Sequence, residues 1–307
     1  MEIKAKIPVV NFCGLEDMKP GSSSWLSLCE QVCNALEEYG CFVAKFSDEV
    51  SYLELHTNII AALDELFDFP KEIKVQNSYD KPTRGFYTAN PSHESLGIDN
   101  PTNPQETQNF ANIFWPQGNH HFCEIANSYA KLMEGLNQIV TRMIFHYYGV
   151  HQKYCDSLVG STDYILKFHK YKPHKVRDGV GLLEHTDLTL NAIINQNHIN
   201  GLEIKTKDGQ WIGFDPSAAS FIFLAGDGFQ AWSNNRIRAC MHRVTMNGEK
   251  ARYSIVFFTF CNGTITSPKE LVDEQHPLCY KPLNHYEYLA EQMRQKHRVS
   301  LVDFCGL

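Results

Sequence analysis

Apolar residues in the first half of the chain recur at helical spacing. From Trp25 to Tyr39, Leu28, Val32 and Leu36 fall on one face, and Gly40 suits the end of that helix. The loop Lys19-Pro-Gly-Ser-Ser-Ser24 precedes it, with Ser24 as the candidate N-cap. Cys41-Phe-Val-Ala44 predicts a short strand, and a second helix runs from about Tyr52 to Phe67, ahead of Pro70. Residues 79–118, broken by Pro82, Pro91, Pro101, Pro104 and Pro116, predict loops. A long helix follows. Ile125, Tyr129, Leu132, Leu136, Ile139, Met143 and Tyr147 trace one stripe up to Gly149, as a helix packed on a sheet would show.

After residue 160 the pattern changes to strands and turns. Residues 253–260, YSIVFFTF, are β-branched and aromatic, as a buried strand requires. Asp208-Gly209 and Asn247-Gly248 signal hairpins, and a last helix covers about His285 to His297. The pattern predicts a mainly β fold with flanking helices. It divides into an N-terminal region of helices and loops, 1–118, and a β-rich region, 119–307, with the long buttressing helix and the C-terminal helix. The two are expected to form one compact unit.

Composition narrows the classes. A length of 307 residues allows one large domain or two small ones. A formal charge of −7, with no long basic run, speaks against nucleic acid and membrane surfaces as partners. No apolar run approaches the ~20 residues that span a bilayer. The N-terminal stretch MEIKAKIPVVNF lacks a signal-peptide core, and DFCGL is neither a prenylation nor a peroxisomal signal. The expectation is a cytoplasmic protein, taken as a monomer. The ten cysteines form no CxxC pair and are expected as reduced thiols, which leaves the sequon Asn262-Gly-Thr264 idle.

Candidate chemistry begins in Gly181-Leu-Leu-Glu-His-Thr-Asp-Leu-Thr-Leu190. Read as a strand, it projects His185 and Asp187 from one face of an apolar ribbon. Burying both is costly unless something satisfies them. His242 lies in another strand-like segment, 239–246. Two histidines and one carboxylate on strands make the facial triad of non-haem Fe(II) oxygenases, with three positions open for a bidentate co-substrate and dioxygen. Structural zinc more often takes four ligands, commonly cysteines. Arg252 and Ser254 follow the Asn247-Gly248 turn and share a strand face. In a hairpin centred there they lie beside His242. A guanidinium fork with a hydroxyl suits a dicarboxylate whose other end reaches the metal.

The set His185-Thr-Asp187, His242 and Arg252-x-Ser254 resembles the plant Fe(II)/2-oxoglutarate-dependent dioxygenases. The resemblance covers nearly the whole chain: Ile7-Pro-Val-Val-Asn11 and Glu38-Tyr-Gly-Cys-Phe42 in the N-terminal region; Gly201-Leu-Glu-Ile204, Asp208-Gly-x-Trp211, Gly226-Asp227 and Ala231-Trp-Ser-Asn234 in the catalytic region. With Asn112-Ile-Phe-Trp-Pro-x-Gly-Asn119, these words are most similar to the AOP-like branch that holds glucosinolate side-chain oxygenases and deoxypodophyllotoxin synthase.

The resemblance implies a double-stranded β-helix, a cupin-like jelly-roll, with helices outside. It implies Fe(II) at His185, Asp187 and His242, with 2-oxoglutarate and O2 as co-substrates and ascorbate in support. Arg252 and Ser254 would hold the far carboxylate of 2-oxoglutarate. His169-Lys-Tyr-Lys172 stands where the family has an Asn-Tyr-Tyr-Pro box. Tyr171 keeps the second tyrosine and its bond to 2-oxoglutarate, whereas His169 replaces the asparagine, which leaves its role open. Phe258 matches the family's substrate-stacking position, with Phe260 a weaker candidate. The region 79–118 is implied to lie over the mouth of the site, so Phe86, Tyr87, Phe114 and Trp115 are either core or substrate contacts. His120-His121 is expected at the surface, opening the long helix, and His93 and His198 are expected in loops without partners. The implied activity is oxidation of a C–H bond of a plant specialised metabolite, by hydroxylation, desaturation, demethylation or ring closure, with release of succinate and CO2. The rivals are a 2-oxoglutarate-independent oxidase of the same superfamily and an inactive binding protein on this fold. Asp187 speaks against a halogenase, which leaves that position to chloride.

Overall fold

The computed structural model describes residues 6–12, 19–46, 49–215, 217–295 and 297–307. In chain order the elements are β1 (Val9–Asn11), α1 (Ser23–Tyr39), β2 (Cys41–Lys45), α2 (Glu49–Asp68), α3 (Lys71–Lys74), β3 (His93–Asp99), α4 (Pro104–Phe114), α5 (His120–Tyr147) and α6 (Gln152–Gly160). There follow β4 (Thr162–Tyr171), β5 (His174–His185), β6 (Asn191–Gln196), β7 (Leu202–Lys205), β8 (Trp211–Gly213), β9 (Ser220–Ala225), α7 (Asp227–Trp232), β10 (His242–Gly248) and β11 (Arg252–Cys261). β12 (Thr264–Ile265), β13 (Leu283–Asn284), α8 (His285–Arg294) and α9 (Leu301–Cys305) complete the order.

Two sheets face each other. The larger has seven strands in the order β1-β2-β9-β6-β11-β4-β3, and the smaller has four, β5-β10-β7-β8. This is the double-stranded β-helix expected from the sequence, with the helices outside.

Strand parity assigns the faces. The larger sheet turns Leu96, Leu166, Phe168, Ile193, Phe223, Ile255 and Phe257 outward, into one core with Leu36, Phe110, Phe122, Tyr129 and Val140 of the helices. Its other face presents Tyr171, Ala192, Ile194, Ile222 and Val256 to Leu202, Ile204, Val244 and Met246 of the smaller sheet. Neighbouring residues on one strand therefore serve two cores. That arrangement explains why β11 is apolar on both sides and shows no alternation.

Several expectations are corrected. Asn247 and Gly248 end β10, with Gly248 at φ 119°, and residues 249–251 lead on to β11, but β10 and β11 do not pair. β10 pairs with β5 and β7, whereas β11 pairs with β4 and β6. The connection passes between sheets, so His242 does not lie beside Arg252 and Ser254 in a ladder. β5 ends at His185, so Asp187 is on the loop beyond, and Leu183 is 74% exposed. The stretch 79–118 contains β3 and α4. The start signal of α4 was in the sequence, since Asn103 caps it by accepting from Gln105 N–H at 3.1 Å and Pro104 takes the first turn. Ser22, not Ser24, caps α1 by accepting from Trp25 N–H at 3.3 Å. The α5 stripe is buried at Ile125, Tyr129, Leu136 and Met143 but exposed at Tyr147. The last predicted helix stops at Arg294. Nine cysteines are free thiols, and Cys13 lies outside the described residues. Among the described residues no helix is long and apolar enough to cross a membrane.

Candidate active site

His185, the last residue of β5, pairs in register with His242, the first of β10. Their ring centroids are 4.2 Å apart. Asp187 Oδ1 stands 3.6 Å from His185 Nε2 and 3.9 Å from His242 Nε2. The ligand atoms of the three residues lie within 4.8 Å of one another, the one such group of His, Cys, Asp or Glu among the described residues.

Hydrogen bonds fix the tautomers. His185 Nδ1 lies 2.8 Å from Leu183 O, and His242 Nδ1 lies 3.0 Å from Cys240 O. A carbonyl only accepts, so each Nδ1 carries the proton and each Nε2 turns a lone pair to the cluster. Burial, then the neighbouring His242, pushes His185 down to about 4, which favours the neutral form a metal needs. Two imidazole nitrogens and a carboxylate fit divalent iron and leave positions open for other ligands.

The loop carrying Asp187 is clamped from behind. Asp227 N–H donates to Asp187 O at 2.8 Å, Gly226 N–H to Leu190 O at 2.9 Å and Gly228 N–H to Thr189 O at 3.0 Å. A Cβ on Gly226 would fall 2.2 Å from Thr189 O and 2.9 Å from Asp187 O, so this position must be glycine. The Asp227 carboxylate accepts from Thr186 Oγ1 at 2.7 Å and Tyr288 OH at 3.0 Å, and pairs with Arg298 at 3.0 Å. His285 Nε2–H donates to Leu188 O at 2.7 Å, while its Nδ1 accepts from Cys261 N–H at 2.9 Å.

Across the gap, β11 carries a cation. Arg252 is 1% exposed, and among the described residues it has no acidic partner. Its guanidinium donates to Ser254 Oγ at 3.4 Å and to Gln196 Oε1, and its carbon lies 5.0 Å from the centre of the Tyr171 ring. Nε has no partner. Burial lowers the pKa of Arg252 and raises that of Tyr171. Room for the guanidinium depends on Gly201, where a Cβ would fall 3.0 Å from Arg252 Cδ and 2.6 Å from Thr245 O. A buried guanidinium beside a hydroxyl, opposite a three-ligand cluster, can take an anion that also reaches the cluster.

The comparisons agree with that chemistry. The family model described as the 2OG-Fe(II) oxygenase superfamily matches residues 162–260, the span from β4 to β11. The "Probable 2-oxoglutarate-dependent dioxygenase AOP1.2" of Arabidopsis thaliana is 36% identical over 296 residues, covering 94% of this chain and 91% of that relative. The chain belongs to the 2OG-Fe(II) oxygenase superfamily. In fold the oxygenase is similar to the crystal structure of a rice dioxygenase for auxin oxidation, with TM-score 0.82 and 24% identity over 98% of this chain and 100% of that one. It is also similar to the 2-oxoglutarate complex of the Arabidopsis thaliana enzyme AtDAO1, with TM-score 0.78 and 25% identity over 89% and 100%. Fe(II), 2-oxoglutarate and O2 are the cofactor and co-substrates of the oxygenase, as in its family.

The other expected site residues are placed unequally. Phe258 shares the inner face with Arg252 and Ser254 and, half-buried, packs against the cluster of Ile165, Phe260 and Leu289, as Leu188 and Tyr286 also do. Phe260 is buried further along and lies under the Arg84 guanidinium at 4.4 Å. Tyr87 bridges to Ser95 on the inner side and is 58% exposed. Phe86, its neighbour, points the other way and packs on the helical core. Phe114 and Trp115 are not brought to the site. They pack with Phe69, Phe110 and Phe122 over the outer face of β4, and Trp115 Nε1–H donates to Glu65 at 2.6 Å. His120 and His121 open α5, and both are exposed, as expected. His198 follows β6 outside regular structure, as expected.

Sequence reasoning missed inner-face residues whose partners are distant in the chain. His93 is on β3, not in a loop, and its Nε2 meets His169 Nδ1 at 3.0 Å. Gln196 holds Arg252. Lys167, 6% exposed, donates to Gly85 O at 2.6 Å and is pushed down to about 7 by burial and by Arg84. The short polar word His93-Glu-Ser-Leu-Gly-Ile-Asp99 does alternate, with Leu96 and Ile98 on one face, and that weak signal marked β3.

Proposed function

We propose that the oxygenase oxidises a C–H bond of a small, largely apolar or aromatic plant metabolite, coupled to conversion of 2-oxoglutarate to succinate and CO2. The observation that carries this reading is a buried guanidinium, Arg252, with no acidic partner among the described residues, on the sheet opposite the one that carries His185 and His242. In it, the three cluster residues hold the iron. Arg252 and Ser254 bind the far carboxylate of 2-oxoglutarate, with Tyr171 OH as a further donor. Iron held at the cluster supplies dioxygen activation and the oxidising power for the C–H bond. The protein's own part is positioning and exclusion of water. Asp227, Arg298 and His285 keep the Asp187 loop in place. Phe258, Leu188 and Tyr286, which pack on one apolar cluster, would form an apolar wall for the organic substrate, with the exposed Tyr87 at its rim. Such a wall suits a ring or hydrocarbon better than a sugar or a nucleotide.

The test is a screen of plant metabolites with Fe(II) and 2-oxoglutarate, following succinate and product mass together. The expected result is succinate formed alongside a mass-shifted product, and neither without 2-oxoglutarate. Product formed equally well without 2-oxoglutarate would overturn the proposal.

A further inference from the structure

The inner face beside Arg252 holds two stacked histidines that the proposed chemistry leaves unused. His93 on β3 and His169 on β4 have ring centroids 5.3 Å apart and an interplanar angle of 30°. In register, His169 lies between Ser95 and Ser254, and the adjacent Tyr171 lies between His93 and Arg252. The four side chains His93, His169, Tyr171 and Arg252 form one packed group, with His93 4.8 Å from Tyr171 and Arg252 5.0 Å from it.

Their hydrogen bonds form a chain with one direction. The backbone N–H of Ala89 donates to His93 Nδ1 at 3.2 Å. An amide N–H only donates, so His93 Nδ1 has no proton. Neutral His93 must then carry its proton on Nε2. That proton faces His169 Nδ1 at 3.0 Å, which must accept it. His169, also neutral, is left with its proton on Nε2. Neutrality follows from the surroundings. Burial, then Lys167 and Arg252, pushes His93 down to about 4. Burial, then His93, Lys167, Arg252 and His185, pushes His169 well below its ordinary value.

His169 Nε2 is sealed from solvent and has no partner among the described residues, although part of the ring borders open space. With Nδ1 engaged by His93 of β3, Nε2 is the ring nitrogen left for another partner. A buried N–H with its proton fixed and no acceptor is a costly feature unless a ligand satisfies it.

We propose that His169 Nε2–H is a preset donor to 2-oxoglutarate, and that His93 is the positioning residue that sets its tautomer. This rests on the assignment of Arg252 and Ser254 to the co-substrate. The acceptor is an oxygen of the dianion held next to Ser254, directly across the ladder from His169. His93 touches no ligand. It acts by leaving His169 a single way to place its proton.

Two measurements test it. The first is nitrogen-15 NMR of the histidines in the iron-free protein. It should report His93 and His169 both neutral near pH 7, each protonated on Nε2 and bare on Nδ1. Protonation of His169 on Nδ1 would overturn the proposal. The second is anaerobic calorimetric titration of 2-oxoglutarate into Fe(II)-loaded protein. His169→Leu should weaken binding roughly tenfold or more, the scale of one hydrogen bond to a charged group. His169→Asn keeps a donor and should bind close to wild type. His93→Leu should weaken binding in the wild-type background yet change nothing further in His169→Asn, whose amide needs no tautomer set. A merely structural pair would instead give the same loss from His93→Leu in both backgrounds, and that result would contradict the proposal. Arg252→Ala is measured alongside. If it weakens binding and His169→Leu does not, the inference on His169 fails alone. If Arg252→Ala has no effect, the co-substrate assignment fails with it.

Discussion

At the scale of single residues, the sharpest feature is a positive charge that meets no negative one among the described residues. Arg252 is fully enclosed, and its neighbours Ser254, Gln196 and Tyr171 offer it only neutral oxygens and a ring. Such a site is completed by a carboxylate. Arg252→Ala is expected to raise the apparent KM for 2-oxoglutarate by roughly 30- to several-thousand-fold, since a buried charge-assisted contact is worth on the order of 2–5 kcal/mol. Arg252→Lys should rescue only part of this, because an ammonium cannot reproduce the fork. Steady-state kinetics with varied 2-oxoglutarate check both. Unchanged dependence in Arg252→Ala would sink the assignment. These side chains were legible in the sequence because three short words, His-x-Asp, a lone His and Arg-x-Ser, carry enough chemistry to be recognised without knowing what surrounds them.

The elements explain what was not legible. Asn247-Gly248 announces a reversal, and a reversal most often means that the flanking strands pair. Here the two strands part into different sheets, and nothing local in residues 242–261 encodes that choice. It is made by Leu202, Ile204 and Leu182, which take β10, and by the β4 and β6 ladders, which take β11. Gln196, His93 and Lys167 were invisible for the same reason, since each meets its partner across a ladder or from a distant loop. The Asp187 loop is another product of such assembly. It is held by backbone bonds to the start of α7, and Gly226 leaves no room for a side chain between them. Gly226→Ala should therefore displace Asp187 and weaken iron binding at least tenfold, while the protein stays folded. Iron titration beside a circular-dichroism melt checks this. Iron affinity equal to wild type would show that the close approach does not position the loop.

Over the whole molecule, two apolar cores share one seven-stranded sheet, and the chemistry sits where the inner core gives way to polar residues. Phe258 marks that border, since it packs toward both the inter-sheet core and the cluster of Ile165, Phe260 and Leu289. Phe258→Ala should weaken binding of the organic substrate by roughly tenfold or more, the cost of truncating a large apolar contact. It should leave uncoupled 2-oxoglutarate turnover largely intact, because the co-substrate is held from the Arg252 end. Measuring both activities on one variant decides it, and equal loss of both would make Phe258 a support of the roll. The sheet-and-helix plan was readable from the helical periodicity of α1 and α5 and from the long β-branched and aromatic run of β11. It was lost where Pro-rich sequence hid β3 and α4. The most direct test of the account is the iron content of purified, Fe(II)-reconstituted protein, measured for wild type and for His185→Ala, Asp187→Ala and His242→Ala. The account predicts iron equimolar with wild-type chains, and marked loss of iron and turnover in each variant. Wild-type iron content and turnover in all three variants would contradict it.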